Sequence, residues 1–175
     1  ILHELNNKDC SDRPQSNPDF TARFVDVKKD LTAITTGPVG VPLPLAYALV
    51  SSDGKVPAKW LQKVLSDAED ALTFMHSKNC FHRDVNPKNI IVVTTKGAPQ
   101  AILIDYSIAF QVQDNSGAQE AFGFSGTVNY AQRKLFEYYP DKAHTPEAKH
   151  DLAGLGLTMA MVVNGCSLPW NPIVA

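Results

Sequence analysis

The sequence predicts an α+β domain, mostly helical, with a small β portion at its front. Three segments carry that prediction. Residues 57–77 repeat apolar side chains at helical spacing, residues 90–105 set two short apolar runs around a turn, and residues 146–164 form a second helix with an apolar face. The 175 residues suit one domain or two small lobes and are enough to bury a sizeable core. With 44% hydrophobic and 19% charged residues, the composition excludes a disordered tail, a coiled coil and a collagen-like repeat.

Taken in order, residues 1–7 (ILHELNN) read as the tail of a helix, and the polar, proline-bearing stretch 8–20 reads as a loop. Phe24–Val27 and Leu31–Thr36 read as strands joined by Lys28-Lys29-Asp30. Gly37-Pro38-Val39-Gly40-Val41-Pro42-Leu43-Pro44 interrupts regular structure and reads as a linker. Pro57 suits the first turn of the long helix, in which Trp60, Leu61, Val64, Leu65, Ala68, Ala71, Leu72 and Met75 share one face. Ile90–Val93 and Ala101–Ile104 read as buried strands around a Lys96-Gly97-Ala98-Pro99 turn. Residues 106–130, rich in Gly, Ser, Asn and Gln, read as a long loop of the kind that often carries function. In the last helix Thr145 can cap, Pro146 fits the first position, Leu152, Leu155, Met159 and Val163 line one face, and Gly165 can stop it.

Net charge and cysteine usage narrow the function. A net charge of −2 and a pI near 6.2 argue against general binding to nucleic acid or an anionic membrane. No apolar run approaches the ~20 residues that span a bilayer. Cys10, Cys80 and Cys166 are odd in number and scattered, which speaks against a disulfide framework or a zinc ribbon. Reduced thiols, and therefore an intracellular location, are the expectation.

The chemistry concentrates in His82-Arg83-Asp84-Val85-Asn86-Pro87-Lys88-Asn89, between the long helix and the hairpin. A turn there presents Asp84, which can accept a proton from an attacking hydroxyl. Asn89, five residues on, can offer an oxygen to Mg²⁺. Asp105 ends a buried strand and is the natural second metal ligand, because the hairpin returns the chain toward Asn89. Together the three groups suit phosphoryl transfer from a nucleotide.

In these motifs the sequence resembles the protein kinase family, specifically its C-terminal lobe, over roughly residues 24–165. His82-Arg83-Asp84…Asn89 is similar to the catalytic-loop signature, and Asp105-Tyr106-Ser107 stands where that family carries D-F-G. Gly126-Thr127-Val128-Asn129-Tyr130 resembles the close of an activation segment. Asp151-Leu152-Ala153-Gly154-Leu155-Gly156 resembles the start of the central helix, whose Asp usually holds the catalytic loop. The Thr35–Gly40 stretch resembles the fungal and oomycete kinase-like, Crinkler-type branch.

The resemblance implies a kinase-like C-lobe with most of the N-lobe missing. Residues 1–36 would be an N-lobe remnant, 37–56 hinge and linker, and 57–175 a truncated C-lobe. ATP and Mg²⁺ are the implied cofactors and a protein hydroxyl the implied acceptor. Asp84 would orient or deprotonate it, Asn89 and Asp105 would hold the metal, and Thr36, Gly37, Pro38 and Val39 would line the adenine side. Arg83 would pair with a phosphorylated or acidic group on the activation segment, with Ser116, Ser125 and Thr127 as candidates.

Several departures from the family pattern qualify that reading. Asn86 stands where serine/threonine kinases carry a phosphate-touching Lys, and Lys88 is the residue able to substitute as a point charge. Ser107 replaces the Gly of D-F-G. Lys134 falls where an anchoring Glu is usual, which implies a looser activation segment. Gly37 is the first glycine, so no glycine-rich phosphate loop precedes the hinge. The chain reads as a piece of a longer protein, with weak or no transfer activity alone and with the missing lobe as a partner. Two other readings keep the fold: a pseudokinase acting as a binding module, and a small-molecule phosphotransferase of the aminoglycoside or choline kinase type.

Overall fold

The structure is a computed structural model that describes residues 23–27, 34–37, 39–53, 55–112 and 120–165. The expected helix over 1–7, Cys10, Pro38, Ser116 and Cys166 lie outside these residues. Strands β1 (Arg23–Val27) and β2 (Ile34–Gly37) pair antiparallel, with an irregularity between Phe24 and Asp26. A second, antiparallel sheet has the order β3-β5-β6, formed by β3 (Val41–Pro42), β5 (Ile90–Thr95) and β6 (Ala98–Leu103). Among the described residues three α-helices accompany it: α1 (Leu43–Val50), α2 (Ala58–Ser77) and α3 (Ala148–Val163). Mixed helix and strand in separate stretches make this an α+β fold.

The hairpin is tighter than expected. Thr95 pairs with Ala98, so only Lys96 and Gly97 form the turn. Their φ values of 52° and 79° are both left-handed, as a two-residue turn of the right twist requires. Ala98 and Pro99, expected in the turn, belong to β6; Pro99 sits near the outer end of this edge strand, where a missing N–H is tolerated.

The α2 helix packs along β6. Its Asp67, buried and ion-paired with Lys63, accepts the Ala101 backbone N–H at 3.0 Å, so the edge strand's outward donor is satisfied by the helix. Val64, Ala68, Ala71, Leu72 and Met75 join Leu43, Ile90, Leu103, Leu155 and Val162 in one core. Trp60, Leu61 and Leu65 pack partly buried against its margin.

Two expectations are corrected. The stretch 37–56, read as hinge and linker, carries β3 and the whole of α1. Its prolines do not break structure: Pro42 precedes the helix and Pro44 occupies the first turn, where a missing N–H costs nothing, while Leu43, Ala46 and Tyr47 are buried. At α3, the flanking residue is Glu147 rather than Thr145, and no side chain caps the helix. Pro146 precedes the helix instead of starting it. The long loop 106–130 holds short pieces: β7 (Phe110–Gln111) pairs with β4 (Cys80–Phe81), and β8 (Ala121–Phe122) pairs with β9 (Ala143–His144).

Candidate active site

The loop between β4 and β5 is held from a distance by the first turn of α3. Asp151, 2% exposed, accepts the backbone N–H of His82 at 2.9 Å and of Arg83 at 2.8 Å, and meets His76 Nε2 at 2.9 Å. The close approach needs Gly154. A Cβ there would meet the Val85 carbonyl oxygen at 2.8 Å, so only a bare backbone lets the helix rest on the loop.

His82 links this loop to the end of β6. The buried ring donates from Nε2 to the Ile104 carbonyl at 2.9 Å and accepts the Asp84 N–H on Nδ1 at 3.3 Å. Burial lowers its pKa against the pull of the neighbouring Asp151, and a neutral ring is the form this donor–acceptor pattern needs. Arg83 and Asp105, on the two sides of that link, have φ values of 69° and 61°. Both are non-glycine residues in the left-handed region, a strain that persists only where surroundings impose it.

Asp84 is held on both oxygens. Oδ1 accepts the Thr127 backbone N–H at 2.7 Å, and Oδ2 accepts from Asn89 Nδ2 at 2.9 Å. The same amide also donates to the Asp84 carbonyl at 2.9 Å. Asn89's nitrogen is thereby committed and its Oδ1 is the atom left to face a cation. Gly126 lies against the loop with φ 125°, where a Cβ would come within 2.5 Å of the Arg83 carbonyl oxygen.

Asn86 is the residue the sequence reading undervalued. It is 3% exposed, and its Nδ2 donates to the Asp84 carbonyl and to Thr127 Oγ1, both at 3.2 Å. Its Oδ1 accepts the Lys88 N–H at 2.9 Å. The signal was in the spacing: an Asx residue two before a backbone donor, followed by Pro, is a turn former.

Asp105 follows Ile104, whose N–H donates to the Asn89 carbonyl at 2.9 Å. The backbones of the two expected metal ligands therefore adjoin. The Asp105 side chain is exposed and accepts from the Ser107 N–H at 3.3 Å. An amide oxygen and a carboxylate are hard oxygen donors, and that donor set fits Mg²⁺. Lys88 is exposed, and Lys134 is too. Thr36 and Gly37 lie on β2, and Val39 is 93% exposed.

Arg83 reaches toward Phe110, 5.9 Å above its ring, and donates to the Ile108 carbonyl at 3.4 Å. Burial lowers its pKa, but a guanidinium stays charged. It lines a small, partly open pocket together with Asp84, Ser125, Thr127, His144 and Glu147. Nothing in the sequence pointed to His144, whose pKa is lowered by burial and then by the Arg83 charge.

The family described as protein kinase domain matches residues 44–172. The serine/threonine-protein kinase PknB of Mycobacterium leprae is 27% identical over 119 residues, covering 67% of this chain and 18% of the relative. PknB of Mycobacterium tuberculosis is 31% identical over 121 residues, with the same coverage of each. The dual specificity protein kinase zak2 of Dictyostelium discoideum is 30% identical over 105 residues, 58% of this chain and 16% of the relative. The chain thus spans about a fifth or less of the length of these curated relatives.

Proposed function

The chain belongs to the protein kinase family, and from that premise we propose that it carries the catalytic-loop half of an ATP-dependent phosphotransferase acting on a protein hydroxyl. One observation carries the reading. Asp84 and Asn89 share a 2.9 Å hydrogen bond within a loop pinned by Asp151, and Ile104-Asp105 is bonded onto Asn89's backbone.

In this reading Asp84 orients the acceptor hydroxyl and takes its proton at a carboxylate oxygen. The Thr127 N–H and the Asn89 amide already fix that carboxylate's direction, and positioning supplies much of the rate in phosphoryl transfer. Asn89 Oδ1 and the Asp105 carboxylate would hold Mg²⁺, which when bound draws negative charge from the phosphates. Lys88 would add a positive charge beside the transferring phosphate, since Asn86 is spent on Thr127 and the loop. Thr36 to Val39 would line the adenine side. Arg83 would receive an anionic group of the activation segment. The C-lobe placement, the Crinkler-type branch suggested by Thr35–Gly40 and an intracellular location belong to the same proposal.

The test is ATP-dependent transfer to a generic protein substrate by this chain and by a version extended with an N-lobe, each with and without Asp84→Asn. Transfer by the extended chain should fall by ~10²–10⁴ in the variant, the usual worth of a positioned general base. Equal transfer with and without the substitution would overturn the assignment of Asp84. No Mg²⁺-dependent transfer from the extended wild type would favour a pseudokinase.

A further inference from the structure

His144 is a buried ring with an unused nitrogen. It lies on β9, 8% exposed, and stacks on Tyr138 with ring centroids 4.5 Å apart. Its Nδ1 is buried and has no hydrogen-bond partner among the described residues. The same strand latches the chain that leads into Gly126–Tyr130. Ala121 pairs with His144 and Phe122 with Ala143, and the Gly123 N–H donates to the Lys142 carbonyl at 3.1 Å. Four residues past Gly123, the Thr127 N–H holds Asp84.

A proton on that ring would have no anion to meet it. Arg83 and His150 line the same pocket, and the Arg83 charge is near enough to oppose a second cation. The acids of the pocket are engaged elsewhere. Asp151 holds the N–H groups of His82 and Arg83, and Asp84 accepts from the Thr127 N–H and the Asn89 amide. Glu147 is paired with Lys149 Nζ at 2.6 Å. Glu120, just ahead of β8, favours the charged ring, but it is exposed and its field is screened by solvent. Charging a buried group without a partner favours any conformation that lets it reach water.

We propose that protonation of His144 unlatches β8 from β9 and so frees the end of the segment that carries Thr127. Burial, and then the Arg83 charge, hold the His144 pKa below its ordinary 6.5 against the pull of the Lys142 carbonyl and Glu120. With the ring in water the ordinary value returns. The open form therefore binds the proton more readily. The latch is fully closed above about pH 6.5, and opening grows as the pH falls below it. It would work in this way whatever the catalytic roles of Asp84 and Asn89.

The test is hydrogen exchange followed by NMR on the full chain between pH 7.5 and 5, with the His144 ring titrated in the same samples. Below about pH 6.5 the Gly123 amide should lose severalfold more protection than Ile102 in β6, which reports unfolding of the core. His144→Phe keeps a ring on Tyr138 but takes no proton, and should abolish the difference. His150→Gln should keep it. Gly123 protection that tracks Ile102 down to pH 5 overturns the proposal. So does a His144 ring that titrates at its ordinary value while Gly123 stays protected, which decides the matter even if His144→Phe does not fold. A Gly123 loss that persists in His144→Phe, or that disappears in His150→Gln, overturns it as well.

Discussion

Asp151 shows how one side chain can decide the shape of a site it never enters. Its carboxylate satisfies the buried backbone N–H of His82, the half-buried one of Arg83, and a histidine ring. Truncation would leave those donors without partners, and each buried orphan costs ~1–3 kcal/mol. Asp151→Ala should therefore lower the unfolding free energy by about 2–5 kcal/mol, read by denaturant titration, and should abolish transfer in an extended chain. Asn86 works on a smaller scale, because Asn89 also holds the Asp84 carbonyl. Asn86→Ala should cost only ~1 kcal/mol of stability yet reduce turnover severalfold, with KM for ATP little changed. A variant with unaltered turnover would mean that the link to Thr127 does not position Asp84.

Between elements, contact distance separates two glycines that look alike in sequence. Gly97 has open space around its missing Cβ and a φ of 79°, so alanine there meets backbone strain alone. That strain is ~1–2 kcal/mol. Gly154 has ordinary helical geometry, but its Cβ would press on the Val85 carbonyl oxygen at 2.8 Å and pack 3.4 Å from the Tyr130 carbonyl oxygen. Gly154→Ala should push α3 off the His82–Asn89 loop and cost ~1–3 kcal/mol. The two variants should separate in function: Gly97→Ala lowers the melting temperature and spares transfer, whereas Gly154→Ala lowers both. Equal activities in folded protein would show that the helix does not set the loop's position.

For the whole molecule, three histidines among the described residues give stability a common dependence on pH. His82, His144 and His150 all have lowered pKa values, each chiefly through burial. The unfolded chain binds their protons near pH 6.5 and the folded chain does so only at lower pH. Stability is therefore complete above about pH 6.5 and is lost as the pH falls below it. Thermal unfolding between pH 7.5 and 5 should show the decline, and His82→Gln, which cannot take the proton, should flatten it. A slope unchanged by that substitution would mean that His82 is not among the groups responsible.

Much of this protein was legible along the chain. Helical spacing from Trp60 to Met75, two apolar runs around Lys96-Gly97, and the order of Asp84, Asn89 and Asp105 are local signals, and local backbone preference answers to them. They were enough to indicate the main elements and the family. What lay beyond them depended on partners far apart in sequence. Whether Leu43–Val50 is linker or helix turns on burial of Leu43, Ala46 and Tyr47 against the core, which no local pattern among prolines reveals. The conformation of Arg83 depends on a carboxylate 68 residues away, and the direction of the Asp84 side chain on a backbone N–H 43 residues away. Residue type and spacing therefore determined which groups were available for chemistry. Only packing decided which of them meet, because a hydrogen bond across the fold forms after the helix and the loop have been brought together by apolar burial that favours many local sequences equally.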